Sequence, residues 1–389
     1  MRRTVFRLPR ICWRSGGLRA HFDGFTESVQ AVQRGRNELP FEAGGKENVM
    51  KRYLGMSAVL LGLLFLLPLI TVTTHVVRRE AEAGTKRELK PEEPEIELLP
   101  QGETDGSYTI RVLLGDEVKT MTMGEYLQGV VRAEMPASFE QQALCAQAVA
   151  ARTYTMYKMA TGGNHGDTAD ICGDHTCCQA YLDKETAASN WGDSAKTYEA
   201  KVENAVALTD GQTILYGGQP ILAVFHSSSA GSTKRAGEVW TDDLPYLQSV
   251  ESPEGESVPN YYSRAEFTPA EFKKLFLAAY PEADLSGAVS GWMKDWTISE
   301  DSNVESVTVG GVSVRGTKLR TIFSLRSATF EAEVEDGKIV FFVTGYGHGV
   351  GMSQYGAQQM AKDGADWKEI ITHYYTGVTV AVHTPERLS

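Results

Sequence analysis

Pro136 divides one helical stretch into two, and it does so just after a glutamate. Thr122 and Glu125 have the Ser/Thr-x-x-Glu spacing of a capping box, which predicts a helix from about Met123. A proline disfavours helical geometry at the residue before it, so this helix should stop near Glu134. Ser138 and Gln141 repeat the capping spacing and open a second, Ala-rich helix. Glu134 is therefore expected at a helix C-terminus, where the macrodipole is negative. That field, with the apolar neighbours Val130, Val131 and Met135, would hold a proton on the carboxyl group and raise its pKa. A carboxylic acid still protonated near neutral pH is what a general acid needs. The alternative is a surface glutamate at a helix end.

A chain of 389 residues predicts two or three domains. With 42% hydrophobic and 23% charged residues it has material for a sizeable core. The net charge of −12 argues against nucleic acid, whose binding rests on neutralising phosphates. The charge is unevenly spread. Residues 1–52 are basic and read as a disordered arm or as an extension from a misassigned start. Residues 53–77 contain the almost wholly apolar run Ala58–Val72, expected to be a single N-terminal transmembrane helix. The alternative is a cleaved signal peptide, but no small-x-small cleavage site follows the run directly. Residues 78–105 are acidic and Pro/Glu-rich, a linker. Residues 106–389 are expected to form the folded domain, placed outside the cytoplasm.

Within that domain the pattern predicts an α+β fold of mixed helices and antiparallel hairpins. Tyr108–Leu114 alternates as a strand, and helices are expected at 123–134, 139–159 and 187–208. Strands 212–216 and 219–225 meet at Gly217-Gly218, 304–309 and 312–314 at Gly310-Gly311, and 328–334 and 338–343 at Asp336-Gly337. A helix is expected at 269–280, while the rest of 251–300 reads as irregular. Two further helices (357–361 and 367–375, the latter capped by Asp366 with Glu369) and a strand at 378–382 complete the chain.

Four constellations could carry chemistry. The first is Glu134 with Gln147, Arg152 and Tyr154 on the following helix; a cation there could bind substrate polar groups, or simply pair with a neighbour. The second is His226-Ser227-Ser228-Ser229 at a strand end, a substrate-binding loop or a polar turn. A serine nucleophile is disfavoured, because adjacent strand residues face opposite ways and no Gly-x-Ser-x-Gly elbow is present. The third is Gly345 to Gly356, with five glycines in twelve residues. Glycine lets backbone approach a ligand closely, and His348, Ser353, Gln354 and Tyr355 offer groups suited to sugar hydroxyls and acetamido groups. The fourth is Cys172, His175, Cys177 and Cys178, with His165 and Asp170 upstream; zinc, a Cys172–Cys178 disulfide and unlinked thiols are all compatible with it.

Taken together, Val130–Pro136, Ala146–Tyr154, His226-Ser227-Ser228 with Gly231 and Thr233, and Gly347–Ala357 resemble the stage II sporulation protein D family, whose members include membrane-anchored lytic transglycosylases. Related domains occur in enhancers of cell-wall amidases. The resemblance implies cleavage of peptidoglycan between N-acetylmuramic acid and N-acetylglucosamine during engulfment in sporulation, leaving 1,6-anhydro-muramyl ends. It implies Glu134 as the catalytic acid/base and Arg152, His348, Gln354 and Tyr355 as site residues; Tyr154, His226, Ser227, Ser228 and Ser353, read from the motifs themselves, are expected to bind substrate with them. It also implies a structural zinc at Cys172, His175, Cys177 and Cys178, with no cofactor needed for the chemistry. The partners it implies are a sporulation amidase and a localising membrane protein. The family often has lysine where this chain has Cys145, and residues 1–49 have no counterpart in its usual pattern.

Overall fold

The computed structural model describes residues 96–383, apart from Asn164 and Thr241. The expected arm, the apolar span and most of the acidic linker lie outside the described residues. Among the described residues no helix is long and apolar enough to cross a membrane.

The fold is mixed α+β with small, mainly antiparallel sheets. The three glycine-containing turns form where expected. Gly217, Gly218, Gly310, Gly311, Asp336 and Gly337 all have positive φ, the conformation that two-residue hairpin turns demand. Thr109–Leu114 pairs with Glu117–Thr122 in a hairpin, and Ile171–Cys172 joins its other edge in parallel. Gln212–Tyr216 lies between Thr379–Val382 and Gln219–Pro220. Two further antiparallel sheets fill the second half of the domain, one of them adding Tyr262–Phe267 to the hairpin Phe330–Glu335/Lys338–Thr344.

The domain has two cores. The first surrounds Gln141–Ala160, a helix buried along most of its length from Ala143 to Met156. Its alanines let Met123–Glu134, Ala195–Leu208 and Gln354–Lys362 pack closely around it. The second core is aromatic: Phe272 stacks on Phe323 with ring centroids 4.6 Å apart, and Trp292 and Phe341 close around them.

Several expectations change on contact with the tertiary structure. The capping box at Ser138 and Gln141 does not form. The N-cap is Glu140, without a side-chain cap, and its N–H donates to Gln358 Oε1 at 2.6 Å. The helix expected over 187–208 breaks at Gly192 (φ 56°) into Lys184–Trp191 and Ala195–Leu208. The strand expected over 219–225 survives only at its ends, because Phe225–His226 pairs instead with Met352–Ser353. Strands at Tyr262–Phe267 and Met293–Ile298 lie in the stretch read as irregular. Finally, the end of the stretch read as linker starts a short helix, Glu103–Ser107, whose Asp105 is buried.

Candidate active site

The helix Met123–Glu134 ends as its sequence dictates. The Thr122/Glu125 capping box is formed, and Met135, the residue before Pro136, turns extended at φ −127° and ψ 136°. Glu134 is half-buried, and its Oε1 accepts a 2.7 Å hydrogen bond from the Ala180 N–H. Burial pushes its carboxyl group above the ordinary carboxylate range; the Ala180 N–H and His175 oppose that shift without cancelling it. The glycine-rich motif reaches this residue through Gln354. Its Nε2 donates to the Glu134 carbonyl at 2.8 Å and to Gln147 Oε1 at 3.3 Å. Gln147 is fully buried, and its own Nε2 has no hydrogen-bond partner among the described residues.

A raised folded pKa has a consequence for stability. The folded chain holds the Glu134 proton more tightly than the unfolded chain, whose value is near 4.5. The stabilisation is therefore complete below the unfolded pKa and is lost as pH rises through the folded one. Denaturant midpoints of wild type and Glu134→Gln, measured from pH 4 to pH 8, should diverge, the variant gaining relative to wild type as pH rises. Parallel curves would show that burial does not tax this carboxylate.

The His226–Ser229 and Gly345–Gly356 segments are stitched to each other. Ser228 and Tyr346 exchange backbone hydrogen bonds, and the Ser227 carbonyl accepts from Tyr355 N–H at 3.0 Å. His226 is buried; Nδ1 donates to the Val350 carbonyl (3.1 Å), so Nε2 accepts from Ser229 Oγ (2.7 Å). This histidine–serine contact is not a nucleophile pair. Both residues are buried, the ring is oriented by the Val350 carbonyl rather than by a carboxylate among the described residues, and burial lowers the imidazole to about 3, so it is a poor base. His348 Nδ1 accepts from Val350 N–H and its other edge bonds the Phe225 backbone, which leaves only the ring face for a ligand. Ser353 caps the next helix through Gly356 N–H and donates to Glu254. Glu254, which no sequence signal marks, also accepts from Ser229 N–H at 2.6 Å and so clamps both segments. Gly351 is required here: at φ 71°, a Cβ would sit 2.1 Å from the Val224 carbonyl oxygen. Of the residues expected to bind substrate in these segments, His226, Ser228 and Ser353 are thus buried framework. Ser227, His348 and Tyr355 are half-buried, Tyr355 against Phe139 with ring centroids 5.0 Å apart.

Arg152 is a correction. It is fully buried, with Nε 2.9 Å from Asp105 Oδ1, Nη2 2.5 Å from Asp105 Oδ2, and Nη1 3.1 Å from the Gln212 carbonyl. Its donors are spent inside the domain, so it does not present a guanidinium to a substrate. Tyr154 is only 9% exposed, and burial raises its phenol well above the usual tyrosine value. Cys145 is buried as well, its thiol pushed up to about 12 by burial.

A second correction concerns the metal ligands. The fourth member of the cysteine cluster is His165 rather than His175. His165 Nε2 lies 3.6 Å from both Cys177 Sγ and Cys178 Sγ, and the two sulfurs are 3.8 Å apart. Ligand atoms of His165, Cys172, Cys177 and Cys178 all lie within 4.8 Å of one another, and no disulfide joins these cysteines. His175 points outward beside Asp174, with its side chain 77% exposed. Its proximity in sequence is misleading, because the turn Asp174–Cys178 directs it to solvent while Ile171–Cys172, paired to Thr109–Leu114, brings Cys172 to the loop carrying His165. The cluster can hold one metal ion. An open cleft of about 740 Å³ runs along it, bounded also by Lys119, Tyr181 and Asp183.

Residues 115–216, which include Glu134 and the cysteine cluster, match the family described as Stage II sporulation protein. Stage II sporulation protein D of Bacillus subtilis (strain 168) is 33% identical over 338 residues, covering 85% of this chain and 96% of that relative. That of Bacillus amyloliquefaciens is 34% identical over 300 residues, 77% of this chain and 84% of the relative. The chain belongs to the stage II sporulation protein D family. It is also similar to the amidase enhancer of Bacillus subtilis (strain 168), at 27% identity over 304 residues, 65% of this chain and 40% of that protein.

Proposed function

We propose that this chain is a peptidoglycan lytic transglycosylase that cleaves glycan strands between N-acetylmuramic acid and N-acetylglucosamine during engulfment. The observation that carries the reading is the half-buried Glu134 carboxyl group, raised in pKa by burial and held by the Ala180 N–H beside Gln354. Hydrolysing glycosidases ordinarily need two carboxylates, one to protonate and one to activate water or attack carbon. A single acid suffices if the sugar's own 6-hydroxyl replaces water. Glu134 then protonates the glycosidic oxygen as the C1–O bond breaks. The resulting carboxylate takes the proton from the 6-hydroxyl, whose oxygen bonds C1 to close a 1,6-anhydro ring. Because the first step needs the protonated form, the rate should fall as pH rises through the raised Glu134 pKa.

The chain acts outside the cytoplasm in this reading, anchored by residues 53–77. Its partners are a sporulation amidase that removes stem peptides and a membrane protein that localises the pair. The similarity to an amidase enhancer favours a second reading, a peptidoglycan-binding protein that stimulates an amidase without cutting. Mass spectrometry of purified, peptide-free glycan strands after incubation separates them: 1,6-anhydro-muramyl ends support cleavage, and sedimentation with intact strands supports the enhancer.

Zinc is the ion proposed for the cysteine cluster. Tetrahedral zinc, with Zn–S about 2.3 Å and Zn–N about 2.1 Å, places sulfurs about 3.8 Å apart and sulfur and nitrogen about 3.6 Å apart. Those are the separations among Cys177, Cys178 and His165. The four protein ligands would close such a site, leaving the ion to brace the loop that carries Ala180. Purified protein should contain one zinc per chain by plasma mass spectrometry. His165→Ala should lose it and His175→Ala should keep it; the opposite pattern would restore His175 as the ligand.

A further inference from the structure

A cleft of about 310 Å³ opens between Val239-Trp240 and the helix Gly316–Ile322, with His348 at its base. Its walls combine an aromatic surface with cations. The Trp240 and His348 rings lie 5.2 Å apart between centroids, and Lys318 and Arg320 line the opposite side with Thr317 and Thr321. Arg320 differs from five of the other described arginines. Arg111, Arg132, Arg152, Arg235 and Arg264 each pair with an aspartate or glutamate. Arg320 is half-buried, and the interaction that favours its charge comes from the Tyr346 phenol rather than from a carboxylate. Arg326 stacks over the Tyr346 ring at 4.0 Å, with its Nε buried and without a hydrogen-bond partner among the described residues. In a chain of net charge −12, this is a concentration of positive charge with no acidic side chain among its lining residues.

We infer that this cleft binds a single sugar bearing a carboxylate, the ring lying on Trp240 and the carboxylate on Arg320 and Lys318. An indole face offers a broad apolar surface to a pyranose ring. A guanidinium matches a carboxylate in a bidentate, charge-assisted geometry that neutral donors do not reproduce. The volume lies at the lower end of the range for small-molecule sites, which suits one ring, and a peptide on the lactyl group would replace the carboxylate with a neutral amide. In peptidoglycan that ligand is an N-acetylmuramic acid unit whose lactyl carboxylate has been freed of its stem peptide. The inference rests on the proposed action on glycan strands, but it concerns binding alone.

The test is equilibrium binding by calorimetry or ligand-observed NMR, with the full chain and three probes: N-acetylmuramic acid, its methyl ester and muramyl dipeptide. The free acid should bind at least tenfold more tightly than either of the others. Arg320→Gln should erase that preference, Arg320→Lys should restore part of it, and Trp240→Ala should weaken acid and ester alike. Equal affinity of wild type for acid and ester overturns the assignment, and so does equal affinity for acid and dipeptide. Lys318→Gln, at an exposed position, should reduce the preference should Arg320→Gln fail to fold. Anhydro products with no acid preference would leave the cleavage reading standing and remove this one; an acid preference without anhydro products would do the reverse.

Discussion

Under the proposed transglycosylase reading, Glu134→Gln should lower glycan cleavage by a factor of roughly 10² to 10⁴, the range contributed by a positioned general acid, while the protein folds normally. The folding half of that expectation comes from geometry. A glutamine keeps an oxygen acceptor for the Ala180 N–H and leaves the backbone carbonyl bonded to Gln354. It also avoids the cost of ionising a half-buried carboxyl group, so the variant should be no less stable than wild type near neutral pH. Product analysis on peptide-free strands, with circular dichroism on the same samples, reads both halves. A folded variant that still forms anhydro ends at the wild-type rate would remove Glu134 from the chemistry. One that fails to fold would mean that the Ala180 contact needs a carboxylate.

Asp105→Ala should cost about 3–5 kcal/mol of stability, the usual penalty for leaving one partner of a buried ion pair alone. Arg152 donates to both oxygens of Asp105, and the two side chains are 0% and 3% exposed. Losing the carboxylate leaves a guanidinium in the domain interior with only the Gln212 carbonyl and Thr209 hydroxyl as partners. Arg152→Met should destabilise to a similar extent, whereas the double variant Asp105→Leu/Arg152→Met should recover much of the loss, because no uncompensated charge remains. Urea denaturation of the three variants measures the coupling. If Arg152 were instead a substrate ligand, Arg152→Met would keep wild-type stability and lose only binding.

Several parts of this architecture could be read directly because their causes are local. A capping box needs residues three apart, and both Thr122/Glu125 and Asp366/Glu369 form as written. Paired turn glycines act within the turn itself, and Pro136 acts on its immediate neighbour. The Ser138/Gln141 box had the same spacing but lost to a tertiary contact, the Glu140 N–H bonding Gln358 far along the chain. Strands at Tyr262–Phe267 and Met293–Ile298 carry no clear local signal because their partly exposed faces lack strong apolar alternation; their pairing comes from neighbouring strands.

For the candidate site, the chain alone determined that a glutamate would end a helix before Pro136 and that a glycine-dense loop would follow far downstream. Only the tertiary structure decided that Gln354 joins the two, that Asp105 withdraws Arg152 from any ligand, and that His165 rather than His175 completes the cysteine cluster. The physical reason is range. Caps, turns and proline constraints act over a few residues, whereas desolvation, ion pairing and metal-ligand geometry depend on which distant segments the packed core holds together.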